Sequence, residues 1–225
     1  GLHPLPQRHA MTMGEMAALF RHERRLDLDL TVVPCQGLER WMWFDDTGLP
    51  WVMASPNMPT LDTATVYPGA VLLEGANLSE GRGTTRPFDI FGAPYLDADD
   101  FAHRLNSFEL AGARFRPVWF RPTFDKWAHQ ECGGAQLHVI HRSSFRPCLA
   151  GAAILRAAVD LGGDQFAWRQ PPFEYVEDRL PIDILSGSPR LREQLESGAH
   201  PAAIAASWQP ELDAFAERRQ PWLLY

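Results

Sequence analysis

DADDFAHRLNSFELAGARFRPVWF, residues 97–120, decides the class of fold. Asp97 is a good helix N-cap, and Phe101, Leu105 and Phe108 follow at spacings of four and three, which lines one helical face with apolar groups. Gly112 ends that helix, and Phe115 to Phe120 then read as a strand. Downstream, Leu137 to Ile140 form a second strand. Pro147 suits a first helical turn, the Ala-rich run to Leu161 is strongly helix-forming, and Gly162 with Gly163 supplies the stop. Ser188 and Pro189 open a further helix that closes at Gly198, and Pro210 begins a last one through Leu212 and Phe215 to Arg219. Helices and short strands therefore mix without strict alternation. This predicts an α+β, or irregular α/β, fold in which a mixed short-stranded sheet packs with helices.

Upstream of the same stretch, Thr12 and Glu15 form a capping-box pattern, and Met13, Met16, Leu19 and Phe20 recur at helical spacing up to the charged cluster Arg21 to Arg25. Leu30 to Val33 is β-branched and apolar enough for a short strand. The region containing Trp41, Trp43, Pro50, Trp51, Pro56 and Pro59 has neither period and should be ordered but irregular. Trp41, Trp43 and Trp51 could stack on sugar faces, since an aromatic ring matches the apolar C–H face of a pyranose, but most tryptophans are core residues and burial is the expectation for these three. Val71 to Leu73 reads as a short buried strand or helix turn.

The chain has 225 residues with 45% hydrophobic and 22% charged side chains, which is ordinary globular usage. Its apolar runs are broken by Pro, Gly or charge before about 18 residues, so no membrane span is expected. A formal net charge of -7 gives no electrostatic footprint for nucleic acid. Cys35, Cys132 and Cys148 are too few and too far apart for a disulfide framework.

The chemistry concentrates in EGANLSEGRGTTRPF, residues 74–88. Two carboxylates (Glu74, Glu80) and two guanidinium groups (Arg82, Arg86) lie among Asn77, Ser79, Thr84 and Thr85, punctuated by Gly75, Gly81 and Gly83. Glycines let the backbone turn and present its N–H groups, and Arg offers a two-pronged donor to a carboxylate or phosphate. The mixture suits an anion or a polyhydroxylated ligand; in a solvated loop the same charges would pair with one another. It is no Walker motif, lacking Lys and the required spacing. His9 before the first helix and Asn57 in the Ser55-Pro56-Asn57 bend are further candidates for ligand contact. His129, Glu131, Cys132, His138 and His141 have loose metal-site spacings, but on a strand His138 and His141 point to opposite faces, so no metal site is expected.

PLPQRHAMTMGEMAALF (4–20), the run from Asp45 to Asp97, ECGGAQLHV (131–139) and RRQPWLLY (218–225) together resemble the DUF1343 family, associated with exo-acting β-N-acetylmuramidases of the NamZ type. The resemblance spans nearly the whole chain. It implies the second subdomain of a two-subdomain glycosidase whose first, Rossmann-like subdomain is absent from residues 1–225, with the active site in the cleft between the two. The family's acidic PEHG stretch, associated with the catalytic carboxylate, has no counterpart here. Ala10 stands where the family usually has Gly in RHGMT. Abrupt entry into the motif and the lack of an initiating Met point to a fragment.

The resemblance implies hydrolysis that releases terminal N-acetylmuramic acid from peptidoglycan fragments, completed by the missing subdomain and requiring no cofactor. Glu74 and Glu80 are then the candidate catalytic carboxylates. Arg82 and Arg86 face the lactyl carboxylate, while His9, Asn57, Asn77, Ser79, Thr84 and Thr85 meet the sugar. A non-catalytic peptidoglycan-sugar binding module and a small-anion or phosphate-binding protein are the alternatives. A peptidoglycan substrate favours an extracytoplasmic location, although the chain shows no export signal.

Overall fold

A computed structural model describes residues 3–225. Among the described residues the helices are α1 (Met13–Glu23), α2 (Leu61–Ala70), α3 (Ala98–Asn106), α4 (Pro147–Gly162), α5 (Pro181–Ser186), α6 (Arg190–Glu196), α7 (Pro201–Ala206) and α8 (Gln209–Arg219). The strands are β1 (Ile90–Ala93), β2 (Ala113–Phe120) and β3 (Cys132–Val139). The elements fall into two compact units: a central one, Met53–Ala206, and a terminal one formed by the residues up to Val52 together with Ser207–Tyr225.

In the central unit the three strands form an antiparallel sheet in the order β1-β3-β2, with Phe91 opposite Ala135 and Phe115 opposite Leu137. Helix α3 starts where the sequence requires: the Asp97 carboxylate accepts from the N–H groups of Asp99 and Asp100 at 2.9 and 3.0 Å. Phe101 and Leu105 on its inner face are fully buried, and Phe91 meets Phe101 edge to face. Pro147 does occupy the first turn of α4, and residues 150–158 of that helix are buried all round. It is the core helix. Its close neighbour is α2, where a Cβ on Gly69 would lie 1.8 Å from the Pro147 carbonyl oxygen. Only glycine permits that approach. Thr60 caps α2 by accepting from the Thr63 N–H at 3.2 Å, and the helix runs on into a buried 3-10 turn, Val71–Gly75. Of the two conformations the sequence allowed for Val71 to Leu73, the helical one holds.

The terminal unit is built on α1. The expected capping box is present: the Glu15 N–H donates to Thr12 Oγ1 at 3.3 Å and the Thr12 N–H to Glu15 Oε2 at 2.7 Å. Leu19 packs with Met11 and Phe215, and Arg218 forks onto the Glu23 carboxylate with both N–O distances 2.5 Å. Glu15 is fully buried. Burial pushes its carboxyl pKa up, but hydrogen bonds from the Leu224 and Thr12 N–H groups and from Arg40 outweigh that and hold it below the ordinary value.

Two expectations are corrected. Leu30 to Val33 is extended but belongs to no strand, because no described segment lies beside it in a ladder. Trp41 is 69% exposed, and Trp43 and Trp51 are half-buried, with Trp51 edge-on to Phe44 at 5.3 Å, rather than core residues. Ala10 takes the positive φ of 50° that the family's glycine would adopt freely. Its carbonyl, accepting from Arg40 and Arg219 at 2.9 and 2.7 Å, ties the turn in place.

Candidate functional site

The loop from Glu74 to Phe88 begins at the end of the 3-10 turn and returns to β1. Gly81 makes the turn possible: its φ is +78°, and an added Cβ would lie 2.3 Å from the Ile90 carbonyl oxygen. Backbone bonds then close the loop, from the Phe88 N–H to the Glu80 carbonyl at 2.6 Å and from the Ser79 N–H to the Gly92 carbonyl at 2.8 Å. The Ser79 hydroxyl accepts from the Gly81 N–H, and the Thr84 hydroxyl donates to the Gly81 carbonyl.

Three of the expected residues meet at one point. Arg82 donates from Nη2 to Glu74 Oε1 at 2.6 Å and from Nε to Glu80 Oε1 at 2.9 Å, with Asp125 3.7 Å away. Its guanidinium also lies 5.1 Å from the centre of the Phe88 ring. Burial works against the charge of Arg82, but its hydrogen bond to Glu74 and the charges of both glutamates hold its pKa above the ordinary value. Tyr67 of α2 stands edge-on to Phe88 at 4.9 Å, and burial, aided by the Glu74 charge, pushes its phenol pKa up.

Lys126, the single lysine of the chain, holds this arrangement from behind. Its ammonium donates to the carbonyls of Leu73, Ala76 and Leu78 at 2.9, 3.0 and 2.8 Å, which uses all three of its N–H groups. Glu80 Oε2 rests 2.8 Å from the same nitrogen as an ion pair with no hydrogen bond of its own. Trp127 Nε1 donates to the Asn77 carbonyl at 2.5 Å, and the Thr123 N–H donates to the Gly83 carbonyl at 3.0 Å. Residues 123–127 thus clasp the backbone of the loop. The sequence reading missed Lys126 and Tyr67; the one available signal was that the only lysine stands in an otherwise all-Arg chain.

The remaining candidates separate by exposure. Glu80 is 2% exposed with both oxygens set against cations, so it cannot meet a ligand directly, which corrects its expected role as a catalytic carboxylate. Ser79 is equally buried. Asn77 spends its amide on the 165–167 segment: its carbonyl oxygen accepts from Tyr95 and from the Ala167 N–H, and its nitrogen donates to the Gln165 carbonyl. Glu74, Thr84, Thr85 and Arg86 keep exposed surface, Arg86 with 46% of its side chain. The Asn57 N–H donates to Ser55 Oγ in the expected bend. His9 lies in the terminal unit, where Nδ1 accepts from the Met11 N–H; burial and the Arg219 charge lower its pKa. No group of three or more metal-ligating side chains clusters among the described residues.

Beside the loop, Asp89 is 3% exposed, with Oδ2 3.7 Å from Arg86 and Oδ1 without a hydrogen-bond partner. Burial, reinforced by Asp62, pushes its carboxyl pKa up to about 6 against the pull of Arg86 and Thr63. The two hollows that stand out, of about 30 and 530 Å³, lie elsewhere, the larger in the terminal unit.

This α+β framework is shared with proteins of the DUF1343 family. A crystal structure of a DUF1343 family protein from Bacteroides fragilis matches with a TM-score of 0.83 at 27% identity, covering 96% of this chain and 56% of that one. A second from the same organism, at 24% identity and a TM-score of 0.69, shares the fold over the same portions. The chain belongs to the NamZ exo-beta-N-acetylmuramidase family: the C-terminal family model matches residues 65–225 and the N-terminal one residues 1–62. The boundary between the two family models thus falls inside the chain, in the first turn of α2. All 225 residues align at 40% identity with the peptidoglycan beta-N-acetylmuramidase NamZ of Bacillus subtilis (strain 168), covering 52% of it. The chain spans about half the length of that curated relative.

Proposed function

We propose that the chain supplies one wall of an exo-β-N-acetylmuramidase active site, the opposite wall coming from the rest of the N-terminal family region, and that it acts on terminal N-acetylmuramic acid of peptidoglycan fragments. The observation that carries this reading is the Glu74 carboxylate, held at one oxygen by Arg82 while Oε2 has no hydrogen-bond partner among the described residues. A carboxylate so oriented can receive a sugar hydroxyl or serve as one of the two carboxyl groups that flank a glycosidic bond, about 5 to 9.5 Å apart. Its counterpart would come from the opposite wall. Arg82 is matched by Glu74 and Glu80 already, so it positions Glu74 and offers little to an external anion. Arg86 is the better partner for the lactyl carboxylate: it is half-exposed and its one acidic neighbour is 3.7 Å away. Thr84 and Thr85 remain for sugar hydroxyls, and Glu80, Ser79 and Asn77 support the wall. The same charge balance weakens the phosphate-binding alternative.

The test uses this chain joined to the N-terminal region of the family and a chromogenic β-N-acetylmuramide. Release of the chromophore is expected, with Glu74→Gln lowering kcat at least about 100-fold. Arg86→Ala should raise KM for the muramide about tenfold while sparing the matching N-acetylglucosaminide. Binding without release would make the chain a sugar-binding module, and wild-type selectivity in Arg86→Ala would remove that residue from recognition.

A further inference from the structure

Helix α3 covers one face of the sheet, where Phe91 meets Phe101, and the opposite face carries charge. Arg114 and Arg116 alternate along β2 with the buried Ala113 and Phe115, so both point away from that helix. The register sets Arg114 opposite His138 and Arg116 opposite Gln136, with Ile90 of β1 on the far side of Gln136. Arg86 adjoins the end of this row, its carbonyl accepting from the Ile90 N–H at 3.1 Å. Arg86, Arg114, Arg116 and His138 are all exposed. Arg116 donates to Gln136 Oε1 at 2.6 Å and Arg114 to the Ala113 carbonyl at 3.2 Å, and neither is paired with a carboxylate among the described residues. Arg86 has only the buried Asp89, at 3.7 Å. Burial and the charges of Arg116 and Arg86 lower the His138 pKa, so the two guanidinium groups act on one surface. Unpaired cations gathered on a chain of net charge -7 run against its average field. From β1 to β2 the row crosses two strand spacings, about 10 Å.

A muramyl glycan bears anions at a comparable pitch. Every second sugar is a muramic acid, and each one without an attached peptide exposes a lactyl carboxylate, so consecutive carboxylates stand one disaccharide apart. We infer that Arg116 forms a second carboxylate subsite: with the terminal lactyl group at Arg86, the row across the sheet receives the lactyl carboxylate of the next muramic acid along the same glycan. Arg116 can turn a guanidinium edge to that carboxylate, and Arg114 adds charge beside it. Ile90 and the half-buried Gln136, between the two arginines, offer an apolar contact and an amide to the intervening N-acetylglucosamine. The occupant follows from the sign of the charge and from its spacing, which a single sugar or one small anion would leave half unused. The site thereby favours a glycan with free carboxylates over one whose inner lactyl group is capped by a peptide. This inference rests on the reading of Arg86 as partner of the terminal lactyl carboxylate and extends it from one sugar to the strand behind it.

Calorimetric binding to this chain tests it with two tetrasaccharides of alternating N-acetylmuramic acid and N-acetylglucosamine. One has both lactyl carboxylates free, and the other has the inner carboxylate converted to its methylamide. The free form is expected to bind about tenfold more tightly. Arg116→Ala should weaken binding of the free form by about the same factor and no longer distinguish the two ligands, because the substitution and the amide remove the same contact. Arg116 is exposed, so the melting temperature of the variant should match that of the parent and is measured alongside. Equal binding of the two tetrasaccharides by the parent, or a variant that still separates them, would overturn the inference. Absence of tetrasaccharide binding would overturn it as well, and so would displacement of the tetrasaccharide by inorganic phosphate at equal concentration, which would mark the row as a general anion patch. Failure of the enzymatic proposal looks different: the chain joined to the N-terminal region would release no chromophore from the muramide, while the preference for a free inner carboxylate persisted in the binding measurement.

Discussion

The loop at 74–88 and the ribbon at 26–34 are both segments without regular structure, and they solve the problem of backbone polarity in opposite ways. The loop turns inward: Lys126 takes two of its carbonyl oxygens and that of Leu73 just before it, Trp127 takes a third from the loop, and Arg82 ties its two glutamates together. The ribbon leaves the amides and carbonyls of residues 27–34 with no described backbone partner, and Leu26 and Leu28 exposed. A segment finished by its own chain can hold chemical groups in fixed positions. A segment whose backbone groups stay open fixes nothing in this way. Irregular structure therefore carries no single meaning, and the count of satisfied backbone groups separates the two kinds.

The largest expected effect breaks the closed side of this contrast. Lys126→Met leaves the buried Glu80 with Arg82 as its one remaining cation, its Oε2 unpaired, and three carbonyls without their donor, so the central unit should lose about 3 to 5 kcal/mol. Denaturant unfolding measures this, and a loss under about 1 kcal/mol would mean the clasp is ornamental. Gly81→Ala comes next: a left-handed backbone and a Cβ set against the Ile90 carbonyl should cost about 2 to 4 kcal/mol, seen as a melting point lower by roughly 5 to 15 °C.

The pH dependence is subtler. The Asp89 carboxyl has a folded pKa near 6 against an ordinary 3.8, so the folded state holds this proton more tightly than the unfolded one. The contribution to stability is therefore undiminished below about pH 4, falls as pH rises toward and through 6, and levels off above it, by about 2 to 3 kcal/mol in all. Asp89→Asn should flatten that slope; a variant with the same pH profile as the parent would assign the slope to other groups. The smallest effect sharpens the open side. Leu28→Ser should change the stability of this chain by less than about 0.5 kcal/mol in denaturant unfolding, and a loss above about 1 kcal/mol would mean that the ribbon is packed after all.

Much of this was legible in the sequence where local signals act alone. The Thr12 box, the Asp97 cap and Pro147 at a first turn each fix a helix start by satisfying nearby backbone groups, and each stands where expected. Strand β3 extends back to Cys132, five residues before the expected Leu137, because Gly133 and Gly134 carry no β signal yet lie where Cβ atoms would strike the backbones of Leu96 and Phe91. Helix α2 passed unread since Pro68 and Gly69 interrupt its pattern, and Gly69 is there for α4. At the site, the clustering of charge at 74–86 marked the right loop. Which glutamate faces outward depended on Lys126, some forty residues further along the chain, and no spacing rule reaches that far. The strand expected at Leu30 to Val33 does not form, because a ladder needs two partners and no second segment lies beside it among the described residues.

Cys35 offers a practical consequence. It is the exposed thiol of the three and lines the larger of the two hollows, whereas Cys132 is sealed and burial pushes its thiol up to about 11. A maleimide fluorophore coupled at neutral pH should favour Cys35, setting a dye at the rim of that hollow without any engineered residue. Its emission would follow unfolding of the terminal unit, so the chain carries its own attachment point for an optical stability assay.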